Sequence, residues 1–385
     1  MTDPRQGPQP TLLPRNKTWA GRASAPRPRL LSIVVAALSV ALAGAGSAAA
    51  RTDVARARLD SPQLGEIARG PALIADAKVA ATPSRSAYWG GATTASTGET
   101  VTIYVSDAYP QDPATAQRWA DFLASLVHGP ELAKLTAYLA PLDQVQSFCG
   151  ADALACYSPR SESLVAPGDD PAAGTSAEAV ITHEYGHHIA ANRSNAPWVA
   201  EDTGTKRWAS YEQVCSKTRA GELFPGAETS PQYQLNPGEG FAETYRVLNE
   251  RLAGLPEIPW AVVSRTLYPD STALSLLRQD VTTPWTGATT IRSTATLGAS
   301  VRSRTTSVST GLDGTLRVTL QAPARSRFAL DVLTPSGGRL GAHVTTTAGS
   351  RTRTVMATVC GQRSLRLRVS RVSGAGTYAL TVARP

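Results

Sequence analysis

Apolar positions follow three different patterns along the chain. The first is a run: Leu30–Ala43 is an apolar stretch inside Leu30–Ala50, which carries no charge. The second pattern mixes strand and helix periods. Glu99–Tyr109 alternates apolar and polar residues and predicts a first strand. Pro113 opens a helix through Trp119, Leu123 and Leu126, and a further helix is predicted from Pro130 to about Leu139. Ala153–Val165 reads as an edge strand closing at Ala166-Pro167-Gly168-Asp169-Asp170. Thr175–Asn192 contains no proline and places Val180, His183, His187 and Ala191 at helical spacing. Thr175 or Ser176 can cap that helix, with Glu178 at capping-box distance from Thr175. Helix-period runs fill Glu201–Thr218, and Gly238–Leu252 predicts another helix, entered at Pro237. In the third pattern, after Pro284, short alternating runs replace the helices. They begin at Thr315, Arg327, Ser364 and Thr377 and are divided by glycine-bearing turns.

These patterns predict an α+β domain with a mixed sheet over 98–284, then a small all-β sandwich over 286–385. Residues 51–97 show little periodicity and read as a linker or removable pro-segment. Residues 1–50 read as an export signal. Arg22, Arg27 and Arg29 form its basic flank, and Ala48-Ala49-Ala50 offers a cleavage site. An uncleaved anchor is the rival reading, because Leu30–Ala50 is long enough to span a bilayer. Either way the following chain is expected to be secreted or extracellular, where disulfides persist. Cys149 and Cys156 are expected to pair and close a small loop. Cys215 and Cys360 are read as buried thiols in preference to a bridge between the two domains.

Charge sharpens the division. The formal net charge is +8. Removing residues 1–50, with six basic residues and Asp3, leaves +3. Residues 286–385 hold 14 arginines, no lysine, and only Asp313 and Asp331, for +12; residues 51–285 therefore carry −9. A basic tail domain suits an anionic cell-wall polymer or membrane surface. Arginine outnumbers lysine 33 to 5 overall, so coding bias accounts for part of the pattern. No nucleic-acid recognition motif is visible, and nucleic acid is not expected as a partner.

The candidate chemistry lies in His183-Glu184-Tyr185-Gly186-His187, which holds two of the chain's five histidines; His188 follows directly. On a helix, His183 and His187 stand one turn apart on one face and can grip one Zn²⁺. Glu184 falls beside the metal, where it can take a proton from an activated water. A catalytic zinc needs a third protein ligand. Glu239 and Glu243 are i and i+4 on the second helix, so one can bind the metal while the other accepts a hydrogen bond from a ligand histidine. Spacing leaves the choice between them open. Trp198, Trp208 and Tyr211 are expected in the core, and His343 at the surface.

The string HEYGHH followed by NPGEGFAETYR resembles the zincin peptidases, in the branch whose third ligand is glutamate. The anthrax lethal factor type, with an E-x-F-A-E second helix, is similar over roughly Val101–Leu252. The resemblance implies a zincin-like fold with His183, His187 and Glu239 holding one zinc and Glu184 as general base. It places Glu243 behind the ligands and Tyr233 near the oxyanion. The branch marked by HExxHxxGxxH and a following methionine does not fit, since no methionine occurs between Met1 and Met356. The segments LDVLTPSG and SGAGTYALTVARP resemble a C-terminal domain carried by secreted bacterial peptidases, which implies an accessory role. The expected function is therefore a secreted zinc metallopeptidase, most simply an endopeptidase, acting on protein or peptide substrates. An edge strand beside the cleft would pair with extended substrate. Two rivals stand beside it: an inactive scaffold that binds a cell wall or surface, and a zinc hydrolase of non-peptide amides.

Overall fold

The structure is a computed structural model and describes residues 83, 87–172, 174–228, 232–255 and 263–385. Residues 1–50, read above as an export signal, lie outside them. No described helix is long and apolar enough to cross a membrane.

The first half is α+β. Strands β1 (Tyr88–Thr94), β2 (Thr100–Ser106), β3 (Thr136–Ala140), β4 (Cys156–Ser158) and β5 (Ser163–Pro167) form a mixed sheet in the order β1-β2-β3-β5-β4. β2, β3 and β5 run parallel, and β1 and β4 are antiparallel edges. Three elements differ from the sequence reading. β1 arises at the end of the stretch that showed little periodicity. The helix predicted over 130–139 is a 3₁₀ turn at Pro130–Lys134 followed by β3. Thr136 and Tyr138 favour extended backbone, and Ala137–Ala140 are buried, as a central parallel strand requires. The single edge strand predicted over 153–165 is a hairpin, with β4 at the edge and β5 inside the sheet.

Helices α1 (Pro113–Ser125), α2 (Leu142–Cys149) and α3 (Ala177–Ala191) follow the strands. Ser176 caps α3 by accepting from the Ala179 N–H, while Glu178 pairs with Arg118 rather than completing a capping box. The region predicted as helical over 201–218 is broken into α4 (Ala200–Thr203), α5 (Lys206–Tyr211) and α6 (Val214–Ala220). α7 (Pro237–Ala253) begins with Pro237 at its first turn and an Asn236 cap on the Gly238 N–H; α8 (Ser271–Thr282) completes this half. α3 and α7 cross closely. A Cβ on Gly186 would lie 2.8 Å from Ala242 Cα, so only glycine permits this approach. Of the three aromatics expected in the core, Trp208 is fully buried, Trp198 is half-buried, and Tyr211 is exposed, its hydroxyl donating to Asp270.

The second half contains β6 (Thr289–Leu297), β7 (Ser303–Ser309), β8 (Gly314–Gln321), β9 (Arg327–Leu333), β10 (Arg339–Thr345), β11 (Thr352–Val359), β12 (Ser364–Ser373) and β13 (Gly376–Arg384). They form two antiparallel sheets, β10-β9-β12-β7 and β11-β8-β13-β6. Alternating residues such as Leu316, Val318, Leu330, Leu367 and Leu380 form their own apolar core, separate from that of the first half. His343 is exposed, as expected.

Both halves belong to one compact unit and are pinned to each other. Cys215 on α6 is disulfide-bonded to Cys360, just after β11, which corrects the expectation of two buried thiols. Beside this bond, Arg363 of the β11–β12 turn donates to Ser210 O, and the N–H of Asp313 in the β7–β8 turn donates to Ser210 Oγ, so both turns dock on α5. The expected Cys149–Cys156 disulfide is present. Two disulfides accord with an extracellular protein.

Candidate metal centre

The α3–α7 crossing sets the geometry. His183 and His187 project one turn apart from α3, their ring centroids 5.1 Å apart. Glu239 projects from the first turn of α7. Its Oε2 lies 3.1 Å from His183 Nε2 and its Oε1 lies 3.6 Å from His187 Nε2. One ligand atom from each of these residues falls within 4.8 Å of the others, a set able to hold a metal ion. Two imidazole nitrogens and a carboxylate oxygen are a donor set that zinc accepts.

The choice between the glutamates, open from spacing, is resolved by place. Glu239 faces both histidines through their Nε2 atoms. Glu243 lies one turn further, 3.5 Å from His183 Nδ1, on the far side of the ring from Glu239. Arg246 holds Glu243 in a two-pronged grip, Nε to Oε2 at 2.9 Å and Nη2 to Oε1 at 2.5 Å, and also donates to Glu250. All four side chains are buried. Arg246 was not singled out from the sequence, though its spacing of i+3 from Glu243 and i−4 from Glu250 carried the signal.

Tyr233, in a 3₁₀ turn just before α7, donates its hydroxyl to Glu239 Oε2 at 2.8 Å. Glu184 is half-buried beside the cluster and has no hydrogen-bond partner among the described residues. His188, the third histidine of the run, stays apart. The Tyr157 hydroxyl on β4 faces its Nδ1 at 3.0 Å, and its Nε2 faces the Glu131 carbonyl at 2.9 Å. That pair of contacts fits a neutral ring protonated at Nε2, and burial holds its pKa down.

The electrostatics follow from burial and pairing. Burial opposes charge on His183, but the hydrogen bond to Glu239 and the nearby carboxylate of Glu243 outweigh it and raise its pKa to about 10. His187 is also raised, Glu239's charge outweighing burial. Burial pushes Glu239 up, yet the two histidines hold it well below the usual carboxylate range. Glu243 is lowered too, Arg246 and His183 together overcoming desolvation. Glu184 has no such compensation, and burial leaves it raised despite the nearby imidazoles. Desolvation, reinforced by Glu239, raises Tyr233 far enough that the phenol keeps its proton. Glu228, absent from the sequence reading, senses the same charges. Solvent reaches it, but desolvation and the charge of Glu239 push its carboxyl to about 7.

No protein-family pattern matches the chain, and no curated protein resembles it in sequence. Among solved structures, the SPBc2 prophage-derived protein YomS is similar at 14% identity over 25% of this chain and 95% of its own, with a TM-score of 0.18. A beta-glucosidase from Paenibacillus barengoltzii shares 20% identity over 23% of this chain and 10% of its own, TM-score 0.16. A family GH115 4-O-methyl-alpha-glucuronidase shares 12% identity over 46% of this chain, which spans about a third (32%) of that enzyme, TM-score 0.18. Likenesses this low bear neither on the fold nor on the function.

Proposed function

We propose that this protein is a secreted zinc-dependent metallopeptidase with a zincin-like catalytic region. The observation that carries the reading is the convergence of His183, His187 and Glu239, from two crossed helices, next to Glu184, a carboxylate with no hydrogen-bond partner among the described residues. Zinc, when bound, supplies Lewis-acid activation of water and of a substrate carbonyl.

The chain's own residues supply the rest. Glu184 accepts a proton from water and returns it to the leaving amine, a role that requires a carboxylate free of other hydrogen bonds. Tyr233 releases Glu239 and donates to the oxygen on which negative charge develops. Glu243 faces His183 Nδ1 and fixes the ring's orientation, and Arg246 fixes Glu243. β4, the sheet edge next to α3, offers unpaired backbone groups to an extended peptide.

The test is elemental mass spectrometry joined to a peptide-library assay. The wild type is expected to hold about one zinc per chain. Glu184→Gln should keep that zinc and lose about 10²–10⁴-fold in turnover. Glu239→Ala should lose the metal, and loss in Glu243→Ala instead would reverse the two glutamates. A chain that takes up no transition metal when zinc is offered would leave the inactive-scaffold reading in its place.

A further inference from the structure

The two outward faces of the C-terminal sheets differ in how charge is gathered. On β10-β9-β12-β7, strand register sets Arg368 beside Asp331 and Thr305, and Arg366 beside Leu333 and Ser307. Arg339 on β10 also stands opposite Leu333. Cross-strand partners share a face, so Arg339, Arg366 and Arg368 rise from one outward surface. Asp331 is the carboxylate among them. It accepts from His343 Nδ1 at 2.7 Å and Arg368 Nη2 at 2.9 Å, and is ion-paired with Arg339, whose Nε lies 3.0 Å away. The other acid of this region, Asp313, is engaged by Arg363 at the junction with the first half.

One carboxylate cannot neutralise three guanidiniums, and the surface is left with an excess of two positive charges. Asp331 takes Nε of Arg339 and one Nη of Arg368, which aims the forks while leaving their remaining N–H groups for another acceptor. Arg366 has no ion-pair partner among the described residues. Arg366 and Arg368 stand two residues apart, roughly 7 Å along the strand, and β10 lies two strands, roughly 10 Å, across from β12. That spacing suits closely repeated anions on a linear chain. Neighbouring positions are Thr305, Ser307 and Ser370, hydroxyls that can donate to phosphate oxygens; Leu333, between Arg339 and Arg366, is buried, and the exposed Val372 lies at the far end of β12. On the opposite sheet, Arg292 and Arg317 are separated by β13 and set among threonines.

We propose that the Arg339–Arg366–Arg368 face is a docking surface for a linear phosphate-bearing polymer, anchoring the protein to an anionic matrix. The site is independent of the metal centre, so Glu184→Gln should bind the polymer as the wild type does.

The experiment measures binding of the whole chain to immobilised long-chain inorganic polyphosphate across a salt series. R366Q/R368Q should weaken binding about 25-fold, from about fivefold per arginine, and flatten the log–log salt slope by about 1.4. The charge-matched control R292Q/R317Q should change affinity by less than about threefold, the effect of long-range charge screened by salt. Arg366→Gln alone, which breaks no ion pair, should cost about fivefold and covers the case in which the double variant misfolds. Equal losses in the two double variants would overturn the assigned face in favour of diffuse charge. Tight, arginine-dependent binding to phosphatidylglycerol vesicles with none to polyphosphate would overturn the polymer in favour of a membrane.

Discussion

The interior of the α3–α7 helix pair and the interior of the C-terminal sandwich are built on opposite rules. Along α7, Glu239, Glu243, Arg246, Asn249 and Glu250 are all buried. In the sandwich the buried side chains of β8 and β12 are the apolar Leu316, Val318, Leu320, Leu365, Leu367 and Val369, and arginines alternate outward. An apolar interior is the stable default, because buried charges lose hydration that pairing only partly restores. A helix that buries four ionisable side chains is therefore not arranged for stability alone. Each has a partner in a chain that ends on the histidines: Glu250 and Glu243 on Arg246, Glu243 on His183, Glu239 on His183 and His187. The sandwich keeps its arginines at the surface, where they can meet another molecule without cost to the apolar core; its two buried carboxylates, Asp313 and Asp331, are paired with those arginines.

The contrast should break most visibly at Arg246. Arg246→Ala leaves Glu243 and Glu250 buried without their cation and should destabilise the protein by about 3–5 kcal/mol. Leu367→Ala in the sandwich should cost a comparable ~2–5 kcal/mol through its cavity. Zinc content separates them. It should fall in the Arg246 variant, whose Glu243 no longer holds His183, and stay near wild type in the Leu367 variant. Urea unfolding with metal analysis on the same samples reads both. An Arg246→Ala protein as stable as wild type would mean that the buried row is not interdependent.

How much of this was legible in the sequence varied with the range of the forces involved. Local signals were strong. The Ser176 and Asn236 caps, Pro237 and the five-residue histidine motif all lie within one helical turn of what they specify, and helices over 177–191 and 237–253 followed. The miss at 130–139 came from a short apolar run, which periodicity cannot divide between helix and buried strand; Thr136 and Tyr138 were the hint. The hairpin at 153–165 was signalled by Pro159, which ends β4 because it cannot donate to a ladder. At the site, histidine spacing placed two candidate ligands on one helix face, whereas the order of the two glutamates depended on how α7 crosses α3. The Cys215–Cys360 bond, 145 residues apart in sequence, depends wholly on how the two halves dock and leaves no local trace.

Gly186 tests the crossing itself at smaller cost. In an isolated helix, alanine is preferred to glycine by about 1 kcal/mol. Here the added Cβ would sit 2.8 Å from Ala242 Cα and 3.2 Å from its carbonyl oxygen, backbone atoms that cannot swing aside. Gly186→Ala should therefore destabilise by about 1–3 kcal/mol and weaken zinc, because moving α7 away moves Glu239 from both histidines. Thermal unfolding and a chelator-competition titration would measure the two effects. A variant stabilised by the alanine preference, with zinc affinity unchanged, would show that the helices are not held at this point.

The smallest expected effect is a proton count, and its sign follows from the charges at the site. In the metal-free protein His183 has its pKa raised to about 10, so at pH 7 it carries a proton shared with Glu239. A metal needs the neutral imidazole, and binding must expel that proton. Zinc affinity should therefore climb as pH rises from 7 toward 10 and level off above. Titration calorimetry at pH 7, in buffers of different ionisation enthalpy, should report release of about one to two protons per zinc, one from His183 and part of one from His187, which is also raised. The stability of the metal-free fold should run the other way. The contribution of His183 is complete below its unfolded value of about 6.5 and is lost as pH rises through about 10. Glu239, whose pKa is depressed, contributes above the ordinary carboxylate range and loses that contribution as the pH falls through its lowered value. The sandwich buries no histidine, so a variant with the α3 histidines replaced by glutamine should lose the alkaline fall in metal-free stability and release no proton. Zinc binding without proton release at pH 7 would mean that the imidazoles are already neutral, and that Glu239 holds its place without their charge.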